Sequence, residues 1–102
     1  MHEVFRNERT VNGVKFETWK AELCNANILE VEAGTTGYKG GDTGHGCRTY
    51  LRIKDLASTD LCINGTESEE VTIELGGDTE LNTFIQALEF ALKVLKEQSE
   101  EK

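Results

Sequence analysis

The chain has 102 residues, 37% of them hydrophobic and 29% charged, a size and balance suited to one globular domain with a modest core. Its formal net charge of −8 argues against general DNA or RNA binding, which calls for a basic face. No run approaches the roughly 18 apolar residues of a membrane helix, and Met1-His2-Glu3-Val4-Phe5-Arg6 has no apolar signal core, so a cytoplasmic protein with no membrane contact is expected.

Proline is absent, so turns must come from Gly, Asn and Asp. Asn12-Gly13 sits between Phe5–Val11 and Val14–Trp19 and predicts a type I′ hairpin. The apolar alternation changes phase near Trp19, where Val14 and Phe16 give way to Trp19, Ala21 and Leu23, and a bulge or bend is expected there. Ile28–Ala33 reads as a strand with Leu29, Val31 and Ala33 on one face and Glu30 and Glu32 on the other. Residues 34–46 read as a loop. Cys47–Lys54 alternates sharply, placing Thr49, Leu51 and Ile53 toward the core and Arg48, Tyr50, Arg52 and Lys54 on the opposite face. A short strand, Leu61–Ile63, precedes an Asn64-Gly65 turn, and Val71, Ile73 and Leu75 mark another half-buried strand.

After Gly76-Gly77 the period becomes helical, with Asp78 as the expected N-cap. Leu81, Phe84, Ile85, Leu88, Ala91, Leu92 and Leu95 form one stripe, Glu80 lies early, and Lys93 and Lys96 lie late. The expected fold is therefore α+β: an antiparallel sheet over about 3–75 against one long C-terminal amphipathic helix over about 79–98. Ala87, Phe90 and Val94 widen the apolar stripe beyond what one sheet face uses. This predicts a homo-oligomer, a dimer or a multiple of dimers packed about two-fold axes, with the N-terminal hairpin as the alternative cover.

Six of the ten glycines fall within Gly34–Gly46. The segment interleaves them with Thr35, Thr36, Tyr38, Lys39, Asp42, Thr43 and His45, side chains that hydrogen-bond, stack and carry charge, which reads as a binding loop rather than filler. It matches neither the Walker A nor the dinucleotide fingerprint. Glycine-rich turns do form backbone N–H nests for anions. In the adjoining strand Arg48 and Arg52 share a face with Tyr50 between them, a set suited to phosphates and a base. The competing reading pairs both arginines with Glu30 and Glu32 across strands.

Weaker constellations are Asp42, His45 and Cys47 as metal ligands, whose spacing fits no familiar zinc framework, and His45 with Asp42 as an acid–base pair lacking an evident nucleophile. No catalytic residue, metal site or cofactor is assigned. Cys24, Cys47 and Cys62 read as free thiols, with Cys47 toward the core.

The run Ile28-Leu29-Glu30-Val31-Glu32-Ala33-Gly34-Thr35-Thr36-Gly37, followed by Gly40-Gly41-Asp42-Thr43-Gly44-His45-Gly46 and Arg48-Thr49-Tyr50, resembles small phage and prophage proteins of the first class of Thoeris anti-defence sponges. The likeness covers about a quarter of the chain. It implies a non-enzymatic oligomeric binder, with sites near subunit contacts, that sequesters cyclic ADP-ribose variants and in some members cyclic di- or trinucleotides. On that basis the expected ligand contacts are Thr35, Thr36, Gly37, Tyr38, Lys39, Gly41, Asp42, Thr43, His45, Arg48, Tyr50 and Arg52. This chain offers one C-terminal helix, so a family feature that needs two there is not expected. Two other functions stay open: an acidic inhibitor or nucleic-acid mimic acting through Glu67, Glu69, Glu70 and Glu74, and a small hydrolase or cyclase using His45 and Asp42.

Overall fold

A computed structural model describes residues 3–41 and 46–100. Strands β1 (Val4–Val11), β2 (Val14–Cys24), β3 (Ile28–Thr35) and β4 (Arg48–Ala57) lead to a two-strand hairpin, β5 (Cys62–Ile63) and β6 (Thr66–Glu67). Strand β7 (Glu70–Gly76) and helix α1 (Asp78–Ser99) complete the chain. The main sheet is antiparallel throughout, in the order β1-β2-β3-β4-β7, with α1 following its last strand. This is the α+β arrangement expected from the periodicities.

The turns form where the residues permit positive φ. Asn12 (49°) and Gly13 (81°) make the β1–β2 turn, and Asn64 (54°) and Gly65 (78°) repeat the device between β5 and β6. The pairing of β1 with β2 runs unbroken from Val11↔Val14 to Val4↔Ala21, so no bulge lies near Trp19. The sheet's irregularity is at the other end of β3, where Ile28 pairs with Ala57 and Leu29 with Asp55, leaving Leu56 as the extra residue.

Register explains the change of phase at Trp19. Trp19, Ala33, Leu51 and Ile73 form one row across four strands, and Ala21, Val31, Ile53 and Val71 form the next. These rows make one face apolar. Lys20, Glu32, Arg52 and Thr72 form a row on the opposite face, beside Glu22, Glu30, Lys54 and Glu70. The hairpin tip carries its apolar residues, Val11, Val14 and Phe16, on that charged face. β1 comes against β4, bringing the tip over the charged side chains and leaving Val11 only 2% exposed.

Alternation along β4 is as the sequence indicates, but the more enclosed side differs. Tyr50 and Arg52, expected opposite the core, are 6% and 8% exposed, whereas Leu51 and Ile53 are half-buried. Curling of the hairpin encloses the polar face, and α1 covers only part of the apolar one. Leu81 in the first turn of α1 is buried, but Leu88, Phe90, Leu92 and Leu95 farther along are exposed. Among the described residues, no helix is long and apolar enough to cross a membrane.

Candidate functional site

Those predicted site residues that are among the described ones fall into two groups held by different physics. The first lies where β3 and β4 leave the sheet. Thr36 donates its amide to the Arg48 carbonyl at 3.0 Å, and its Oγ1 accepts the Arg48 amide at 3.0 Å. Thr35 Oγ1 donates to the same carbonyl at 3.0 Å, shares a 3.1 Å bond with Thr49 Oγ1 and accepts the Gly37 amide at 3.2 Å. Both threonines therefore act as braces at the loop's base. Gly37 (φ 81°) and Gly40 (φ 93°) take positive φ around Tyr38 and Lys39. Tyr38 is 60% exposed and Lys39 is also exposed. Arg48 directs Nη1 to the carbonyls of Gly46 (3.1 Å) and Cys47 (3.2 Å), bracing the returning limb.

Three amides on the two limbs of the segment are already engaged. The Asp78 carboxylate accepts N–H groups from Lys39 (3.0 Å), Gly40 (2.6 Å) and Cys47 (3.0 Å). Those donors, Lys39 first and then Gly40, hold its pKa down at about 2. Asp78 is thus not the N-cap. Gly77 occupies that position, and Asp78 is the first helical residue with its carboxylate on the loop. Gly41 takes part through its carbonyl, which accepts the Asp78 amide at 2.7 Å.

The second group is the interior of the polar face. Glu32 is fully buried and accepts two parallel bonds from Arg9 (2.8 Å each) and one from the Thr18 hydroxyl (2.6 Å), with Asn7 and Arg52 each at 3.4 Å. The paired Arg9 hydrogen bonds are the main reason its carboxyl is held down at about 2, against the opposing effect of burial. Arg52 also bonds Glu30 and reaches Glu70 at 3.4 Å. Burial works against its charge, but the Glu30 hydrogen bond and the surrounding carboxylates raise its pKa on balance. Tyr50 lies beneath the Arg9 guanidinium, 5.1 Å from carbon to ring centroid. The competing pairing of Arg52 with Glu30 and Glu32 is therefore the arrangement observed. Arg52 and Tyr50 stand within the sheet rather than beside Tyr38 and Lys39 on the surface.

Asp42, Thr43 and His45 lie outside the described residues. Among the described residues, no cluster of His, Cys, Asp and Glu is arranged to hold a metal ion. Sequence reasoning missed Arg9 and assigned Asp78 to the wrong task. A charged residue alternating with Val11 on one strand face was the available signal for Arg9. Nothing local marks Asp78, whose partners lie 31 to 39 residues away.

Beside the loop, the apolar face of the sheet and the first turns of α1 bound an open groove of about 430 Å³. Trp19, Ala33, Leu51, Leu81, Phe84 and Leu88 line it, with Gly34 and Thr35 at its margin. Gly34 permits the strands to close there, since a Cβ would stand 2.7 Å from Thr18 Cγ2. No protein family, curated protein or solved structure matches this chain.

Proposed function

We propose that the protein is a phage-encoded anti-defence sponge that binds a cyclic nucleotide immune signal in the bacterial cytoplasm and holds it without turnover. The signal is a cyclic ADP-ribose variant, with cyclic di- and trinucleotides as the second ligand class. The observation that carries this reading is the braced glycine loop presenting Tyr38 and Lys39 outward beside an apolar groove. A phenol ring suits stacking on a base, and an ammonium suits a phosphate. A binder gains residence time from close-fitting loops, because affinity differences reside mostly in the dissociation rate. The resemblance of residues 28–50 to the sponge family points the same way. Arg48 acts here by bracing the loop, and Tyr50 and Arg52 by supporting the sheet beneath it.

The sponge acts as a homo-oligomer. Phe90 (69% exposed), Leu95 (66%) and Leu92 (54%) leave α1 with an apolar surface of the kind that a second copy covers. Ile85, Leu88, Leu92 and Leu95 recur at helical spacing along one stripe, and Ile85 and Leu88 line the groove with Trp19, so the exposed apolar residues of this side run together, while Phe90 adds an apolar residue on the helix's other side.

The test is thermal unfolding of the purified protein against cyclic ADP-ribose isomers and cyclic di- and trinucleotides. At a hundredfold excess over Kd, a specific ligand stabilises the fold by about 2.7 kcal/mol, a shift of roughly 10–20 °C for this size. The compound should be recovered chemically intact. Flat curves across the panel would refute the reading.

One observation favours a second reading, an acidic inhibitor of a nucleic-acid-binding protein. Asp55, Asp60, Glu67 and Glu69 gather around one concavity near the β5–β6 hairpin. Capture of a basic protein partner that weakens steeply with salt would support it.

A further inference from the structure

The N-terminus of α1 and the glycine loop form a clasp. One limb of the loop supplies the amides of Lys39 and Gly40, and the other supplies that of Cys47. All three converge on one carboxylate, at 2.6–3.0 Å. The backbone repeats the connection, with Asp78 N–H on the Gly41 carbonyl (2.7 Å) and Gly77 N–H on the Cys47 carbonyl (2.8 Å). The buried Cys47 thiol closes it by donating to the Gly77 carbonyl at 3.0 Å.

Gly46 makes this approach possible. Its φ is 79°, and a Cβ there would collide with the Gly41 carbonyl and come within 2.8 Å of the Asp78 carboxylate. Converging backbone amides of this kind are an anion receptor. Here the anion is part of the chain, and a ligand phosphate would have to displace a charge-assisted set of bonds to use the same amides.

We propose that Asp78 is the positioning residue of the ligand loop: its carboxylate fills the receptor made by the amides of residues 39, 40 and 47, sets the stance of Tyr38 and Lys39, and leaves ligand phosphates to be met by side chains. That this loop is the ligand loop rests on the function proposed above; the clasp itself does not. Asp78→Asn keeps the side chain's size but turns an amide NH₂ toward groups that are already donors. Asp78→Ala removes the anion and leaves a space of carboxylate size.

The test is replacement of the missing anion from solution. Wild type and Asp78→Ala are compared in sodium formate, sodium phosphate and sodium chloride at matched ionic strength, without nucleotide. Melting temperature and hydrogen exchange at the amides of Lys39, Gly40 and Cys47 are read. In chloride, Asp78→Ala should exchange those amides at least about tenfold faster than wild type, the size expected for loss of a charge-assisted hydrogen bond. Formate should restore their protection and raise the melting temperature of the variant while leaving wild type unchanged.

Equal exchange in the two proteins, or equal behaviour in formate and chloride, would overturn the assignment. So would phosphate altering those same amides in wild type. If Asp78→Ala does not fold, Asp78→Asn takes its place for the exchange comparison: loss of protection confined to the loop amides supports the clasp, and unchanged protection refutes it. A flat nucleotide panel alongside formate rescue would remove the proposed function and keep Asp78 in its role. A positive panel without rescue would do the reverse.

Discussion

The two faces of the sheet invert the usual distribution of polarity. The charged face holds Glu32 fully buried and Arg52 8% exposed, under a hairpin tip carrying Val11. The apolar face, with the helix beside it, leaves Trp19 50% and Leu88 45% exposed. The difference shows that burial in this fold follows strand curvature more than side-chain hydropathy. A closed polar interior is tolerable because Glu32 satisfies its lone pairs with Arg9, Thr18, Asn7 and Arg52. An open apolar exterior is the surface that a second copy would cover in the oligomer proposed above.

The largest effect should come from breaking the closed face. Glu32→Ala leaves Arg9, Thr18 and Arg52 without their shared acceptor and should cost about 3–5 kcal/mol, read as a lower urea midpoint. Acid attacks the same group. With its folded pKa at about 2, below its unfolded value, Glu32 binds more protons when unfolded. Its stabilisation is therefore present above about pH 4.5 and lost as pH falls toward 2. Asp78, also held at about 2, acts in the same direction. Urea midpoints from pH 6 down to pH 2 should fall steeply, and less steeply in Glu32→Gln.

An intermediate effect is expected on the open face. Phe90→Glu with Leu95→Glu should shift sedimentation to a lighter species and remove the concentration dependence of the melting temperature, with little loss of helical circular dichroism. An unchanged mass would show that α1 is not where copies meet. The smallest stability effect belongs to the loop. Tyr38→Ala should alter the unfolding free energy by no more than about 0.5 kcal/mol, because the ring is 60% exposed. The same variant should lose most of the melting shift produced by whichever nucleotide stabilises wild type.

Much of the fold was legible because its signals are local. Asn12-Gly13 named its own turn, the alternation of residues 48–54 separated the two sides of β4, and the period from Leu81 onward marked α1. The enclosed side was not legible, because it depends on β1 reaching β4 across two intervening strands. Arg9 and Glu32 are 23 residues apart and meet only through that curl. The site was legible as a glycine-rich segment and as a possible Arg52–Glu pairing. What occupies the amides of Lys39, Gly40 and Cys47 was hidden in Asp78, which local reasoning assigns to capping.

Burial of Cys47 has a practical consequence. Cys24 and Cys62 are exposed, whereas the Cys47 sulfur sits inside the contact between loop and helix. Under an alkylating reagent the first two should react at the rates of accessible thiols. The third should react only as often as that contact opens. The chain thus carries its own chemical clock for the motion of the loop, with two internal references, and needs no added label to read it.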